Sequence, residues 1–149
     1  MAYQELLKGR FSEPGREYLI TFTTQRRQPV FSSLKLARLF IRELRSLEAD
    51  SACTWLAWVL MPDHFHGLVS LGNTISLSAL VQTLKGKSAF SINQSQARSG
   101  QLWQAGFHDH ALRSEESRRN LALYIINNPV RAGLVCQIEK YSHWDCVWI

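Results

Sequence analysis

Residues 17–24 (EYLITFTT) are β-branched and aromatic almost throughout, which predicts a strand. The basic, polar run QRRQPV over 25–30 reads as a loop. The period then changes. Leu36, Leu39, Phe40, Leu44 and Leu47 recur at steps of three and four, the spacing of one apolar helix face, with Ser33 placed to cap the start and the end near Asp50. Residues 52–61 predict a second strand, which carries two tryptophans three apart. Pro62-Asp63 is a turn signal and residues 64–71 predict a third strand, so the two strands form a hairpin. Ser76 opens a long helix with Leu77, Leu80, Val81 and Leu84 inward, Phe90 as a further inward candidate, and Lys85 and Lys87 outward. Residues 94–101 are a polar loop and 107–112 a short fourth strand. Ser114 is placed to cap a last helix, with Glu115 and Glu116 in the first turn where the helix dipole favours negative charge, and Pro129 stops it.

The order β-α-β-β-α-β-α predicts an α+β domain. Two βαβ halves joined this way suggest a ferredoxin-like, four-stranded antiparallel sheet with two helices on one face and an additional C-terminal helix. By analogy with that fold, the third strand lies in the middle of the sheet. The expectation is a single domain over 1–149, with residues 1–16 as an N-terminal arm and 136–149 as a C-terminal tail.

Composition narrows the class. With 46% hydrophobic and 19% charged residues, the chain can build one core without disulfides, which excludes a disordered tail, a collagen-like fibre and a multidomain assembly. Seventeen Lys and Arg against twelve Asp and Glu leave a net charge of +5, which brings in polyanions as candidate partners. Cys53, Cys136 and Cys146 are odd in number, widely spaced and without a Cys-x-x-Cys, which excludes a disulfide framework and a four-Cys zinc site. Free thiols suit a reducing compartment. The N-terminus lacks the apolar core of a signal peptide, and the longest apolar stretch, 55–61, is too short to cross a bilayer. A soluble cytoplasmic protein is expected.

Two features carry chemistry. In His64-Phe65-His66, residues two apart on a strand point to one face, so the imidazoles project together and Phe65 faces the core. The pair can ligate one divalent cation, or be ordinary polar residues on a half-exposed strand. On the last helix, Leu121, Tyr124, Ile125 and Asn128 share a face. Tyr124 is either a core residue or a phenol beside a metal, with Asn128 one turn on as an amide ligand or simply the helix end. A metal beside a tyrosine hydroxyl on a basic protein suggests phosphoryl transfer with a phenolate nucleophile.

These residues carry a family resemblance. MPDHFHGLVSL resembles the strand motif of the small HUH (His-hydrophobic-His) single-strand DNA transposases, and YIINNPVRAGLV resembles their nucleophile helix. KGRFSEPGREYLITFTTQRRQPVF and LWQAGFHDHALR resemble one branch, the REP-associated tyrosine transposases, and SLSALVQTLKGKSAFSIN resembles the family's basic helix. Each motif is weak alone, but five in order along nearly the whole chain are specific.

The resemblance implies a ferredoxin-like domain that cuts single-stranded DNA. By position, His64 and His66 are the paired metal ligands, Asn128 the third, and Tyr124 the nucleophile. Magnesium or manganese would be the cofactor. Attack by Tyr124 would leave a 5′-phosphotyrosine link and a free 3′-hydroxyl, which permits strand transfer without ATP. The implied substrate is a palindromic REP element folded as a hairpin, taken by a monomer or homodimer with no membrane involved.

Arg10, Arg16, Arg26, Arg27, Lys85 and Lys87 are candidate phosphate contacts. Trp103 and Phe107 suit either stacking on unpaired bases or the core. His108 and His110 share a strand face with Asp109 opposite, and either histidine is a candidate base for Tyr124. The alternatives from other classes are a domesticated, non-cleaving single-strand-binding module and a structural zinc protein that uses a cysteine with a histidine.

Overall fold

The computed structural model describes residues 15–113 and 117–149. Five strands form one antiparallel sheet: β1 (Glu17–Thr23), β2 (Cys53–Leu60), β3 (His64–Leu71), β4 (His108–Ala111) and β5 (Trp144–Cys146). Their spatial order is β4-β1-β3-β2-β5. The first four reproduce the expected ferredoxin-like order, and β3 lies between β1 and β2. Among the described residues, four α-helices accompany the sheet: α1 (Leu34–Ala49), α2 (Leu77–Ser95), α3 (Arg118–Ile126) and α4 (Asn128–Arg131).

Alternation along the strands divides the apolar residues between two faces. Tyr18, Ile20 and Phe22 of β1 and Phe65 and Val69 of β3 pack against Leu36, Phe40 and Leu44 of α1 and Leu77, Leu80 and Leu84 of α2. Leu68, Ala57, Val59 and Cys146 turn to the other face and pack against Ala122, Ile125 and Ile126 of α3. Helices α1 and α2 therefore cover one face, and α3 covers part of the opposite one. A register shift between Trp55 and Ala57 explains the tryptophan spacing, because one extra residue returns Trp55 and Trp58 to the same face.

The caps of α1 and α2 lie where the sequence places them: Ser33 accepts from the Leu36 N–H at 3.3 Å and Ser76 from the Ala79 N–H at 3.1 Å. The cap of α3 does not. Ser117 accepts from the Asn120 N–H at 3.2 Å and the helix opens at Arg118, whereas Ser114, Glu115 and Glu116 lie outside the described residues. Arg10 and most of the N-terminal arm lie outside them as well.

Phe90 is 69% exposed rather than inward, because six residues past the buried Leu84 a helix presents its far side. Pro129 does not simply stop α3: the chain breaks at Asn127 and restarts as α4, with Asn128 its first residue and Pro129 in its first turn. The tail contributes β5 on the outer edge of β2, and the Tyr141 hydroxyl donates to the Leu60 carbonyl at 2.6 Å. Among the described residues, no helix is long and apolar enough to cross a membrane.

Gly67 makes the close packing under β3 possible. A Cβ there would meet the Phe65 ring at 2.9 Å and Trp55 at 3.3 Å. Phe65 cannot easily retreat, since its ring centroid lies 5.2 Å from Phe22 and 5.1 Å from Phe40. Gly67→Ala should therefore destabilise the protein by about 1–3 kcal/mol through overpacking. Thermal unfolding that matches the parent would refute the tight contact.

Candidate active site

Central strand β3 carries His64 and His66 on the face opposite α1 and α2, with Phe65 fully buried between them on the other face. Register places His66 beside Thr21 of β1 and Val59 of β2, and His64 beside Thr23. Thr21 also pairs with His108 of β4, so His108, Thr21 and His66 form one row across the sheet. His110, two residues on, shares that face, while Asp109 lies on the other.

Each histidine is held by a residue from elsewhere. The His64 Nδ1 lies 2.9 Å from Asp63 Oδ1, and since an ionised carboxylate only accepts, Nδ1 donates and Nε2 is the ring nitrogen not engaged by Asp63. The Arg27 Nε donates to the second Asp63 oxygen at 3.0 Å. Burial alone would raise the Asp63 carboxyl, but the hydrogen bonds from His64 and Arg27 and their charge outweigh it and hold it below the usual range.

Asn128 lies against His66, with Nδ2 3.3 Å from Nδ1. Burial, followed by the charges of His64 and Arg131, pushes the His66 imidazole down to about 4, so it is neutral near pH 7, as a metal ligand must be.

Tyr124 is 59% exposed, unlike its neighbours Ile125 and Ile126, which pack against the sheet. The core-tyrosine reading does not hold. The Arg131 guanidinium lies 3.7 Å from the centre of the Tyr124 ring, a cation–π contact. Arg131 thus stacks on the phenol while its charge is felt at His66. Helix α3 is fixed at its other end by Arg118, which pairs with Glu17 of β1 at 2.8 Å and lies over the Trp148 ring.

Among the described residues, no three His, Cys, Asp or Glu side chains converge as a metal cluster, so a three-ligand set here requires the Asn128 amide. Two imidazoles and a carboxamide oxygen make a donor set that fits a divalent cation. The cysteines lie apart: Cys53 is buried on the α1/α2 face with its thiol pushed up to about 12 by burial, then by Glu48; Cys146 is buried on the opposite face; and Cys136 is exposed.

The sequence matches the IS200-like transposase family model over residues 14–128. The chain belongs to the IS200-like transposase family. Among solved structures, this transposase-family chain is similar to a REP-associated tyrosine transposase bound to a REP hairpin, with a TM-score of 0.74 and 22% identity over 91% of this chain and 79% of that one. It is also similar to a candidate transposase from Deinococcus radiodurans R1, with a TM-score of 0.56 and 25% identity over 80% of this chain and 95% of that one. No curated protein sequence matches it.

Several expected DNA contacts of this family member have other positions. Lys85 does not face outward freely: its Nζ donates to the carbonyls of Gln104 and Gly106, each at 2.7 Å, and burial pushes it down to about 8. Trp103 is 4% exposed, stacks on Phe31 and donates from Nε1 to the Ser88 hydroxyl at 3.0 Å, so it is a core residue rather than a platform for bases. Phe107 is buried too. Lys87 is exposed on α2, on the opposite side of the sheet from the histidines. Arg16 is half-buried at the entry to β1, while Arg26 and Arg27 are exposed and Arg27 pairs with Asp63. Sequence reasoning missed Arg131 and Asp63. Arg131 follows Tyr124 by two helical turns, and Asp63 directly precedes the histidine motif, where it reads first as a turn residue.

Proposed function

We propose that this protein is a REP-associated tyrosine transposase that cleaves and rejoins single-stranded DNA beside a REP-type hairpin. Tyr124 carries the reading: a phenol on the exposed side of its helix, stacked by Arg131, just before the turn that sets Asn128 against His66. The likeness in fold to a protein solved with a REP hairpin supports the class of substrate.

His64, His66 and Asn128 would hold magnesium or manganese. Bound there, the ion would polarise the scissile phosphate. The Tyr124 oxygen attacks phosphorus, a new O–P bond forms to the 5′ side, and the bond to the 3′ oxygen breaks. The phenolic proton is lost to solvent and the leaving 3′ oxygen gains one. Arg131 keeps the ring in place, and Asp63 occupies Nδ1 of His64, which leaves Nε2 as the nitrogen that would take the ion.

The test is incubation with labelled single-stranded hairpin DNA and manganese, read on a denaturing gel. A protease-sensitive band of DNA linked to protein is expected. Hairpin binding with no such band would leave a non-cleaving binding protein and overturn the reading. Asp63→Asn should reduce manganese affinity by roughly 10–100-fold, the usual effect of losing a carboxylate that orients a ligating histidine. Unchanged affinity by calorimetry would remove Asp63 from that role.

A further inference from the structure

Two loops meet beyond the end of β1 and form an open surface cavity of about 240 Å³ lined by Gln25, Arg26, Gln28, Arg98 and Gln101. Every lining residue is polar or cationic, and none is acidic.

The walls are fixed. The Gln25 N–H donates to the Leu102 carbonyl at 2.8 Å, and Thr24 forms a β-bridge with Trp103. Asn93 Nδ2 donates to the Gly100 carbonyl at 2.9 Å, and Gln101 Nε2 to the Trp103 carbonyl at 2.7 Å. Arg26 (φ 57), Arg27 (φ 52) and Ala97 (φ 49) hold left-handed backbone without being glycine.

The charge in this cavity is unbalanced. Arg26 and Arg98 line it together, and neither makes an ion pair with a described residue. The acid of the adjoining turn, Asp63, is already taken by Arg27 and His64. Two guanidiniums lining one polar cavity offer an anion two positive charges and ten N–H donors, and a phosphate suits their planar forks.

We propose that this cavity is a phosphodiester-binding site that takes one backbone phosphate of the DNA strand. The inference rests on the DNA-cleaving reading above and adds a fixed anchor to it. Arg26 and Arg98 neutralise the phosphate, and the Gln25 and Gln28 amides donate to its oxygens. Arg27, next to Arg26, reaches His64 through Asp63, so a strand anchored here is held in register with the histidine face.

The test uses the full chain and two double variants, Arg26→Ala/Arg98→Ala and, as an equal loss of charge on α1, Arg42→Ala/Arg45→Ala. Hairpin DNA binding is measured by anisotropy over a series of salt concentrations. The first variant should flatten the log–log salt slope by about 0.7, the value for one phosphate on a single strand, and the α1 variant should not. Equal slopes for the parent and the first variant, or equal flattening in both variants, would overturn the site. Inorganic phosphate, titrated against side-chain amide NMR signals, should shift Gln25 and Gln28 in the parent and not in Arg98→Ala. No shift in the parent overturns the site too. Neither measurement depends on Tyr124, so loss of the covalent adduct with an intact salt signature would count against cleavage alone.

Discussion

Tyr124→Phe is expected to abolish strand cleavage and the protein–DNA adduct together, while hairpin binding and thermal stability stay as in the parent. The substitution removes one oxygen and keeps the ring. That oxygen makes no hydrogen bond with a described residue, and the side chain is mostly in solvent, so the core loses nothing. Phenylalanine still offers Arg131 an aromatic face, so the stack survives. The other described tyrosines are poor substitutes. Tyr18 is buried in the core, and Tyr141 donates to a backbone carbonyl with its phenol pushed up to about 12 by burial. Tyr3 lies outside the described residues. An adduct that persists in Tyr124→Phe would assign the nucleophile elsewhere.

His66→Ala should lower cleavage by roughly 100-fold or more, the scale of losing one group that stabilises charge at a reacting centre. Folding should change little, because His66 is only partly buried and lies outside the α1/α2 core. The neighbouring residue supplies the contrast. Phe65→Ala, one step along the same strand, empties a fully buried site and should cost about 3–5 kcal/mol of stability. Circular dichroism and the cleavage gel together separate the two effects. Full cleavage by His66→Ala, or unfolding of that variant, would refute the division of labour along β3.

Where an element depends on its own period, the chain is legible. The β3 strand runs from His64 to Leu71 as its residues indicate, and α1 and α2 begin at the serines that cap them. The strand parity that groups His64 with His66 and sends Phe65 to the core is a local property, and the structure keeps it. What the sequence hides depends on contacts between distant segments. β5 has only three residues and exists because β2 offers it an edge. Lys85 looks like a solvent-facing cation by helical position, but the carbonyls of Gln104 and Gly106 occupy it. Trp103 is an aromatic residue flanked by Gln101 and Gln104, but a bridge to Thr24 carries it inside. Arg131 is one arginine among many until the break at Asn127 turns it back over Tyr124.

The separation of core and chemistry on opposite faces of one strand also bears on how such a chain can change over generations. His64, His66 and Tyr124 contribute nothing to the packing of α1 and α2, so losing any of them carries little folding penalty. A copy with Tyr124 replaced would keep its sheet, its helices and the polar cavity between Arg26 and Arg98. It would still be produced, would resist proteolysis as well as its parent, and would still engage DNA. Under the proposed function, a protein that holds a hairpin without cutting it would lie a single substitution away from one that cuts, with no unstable intermediate between them.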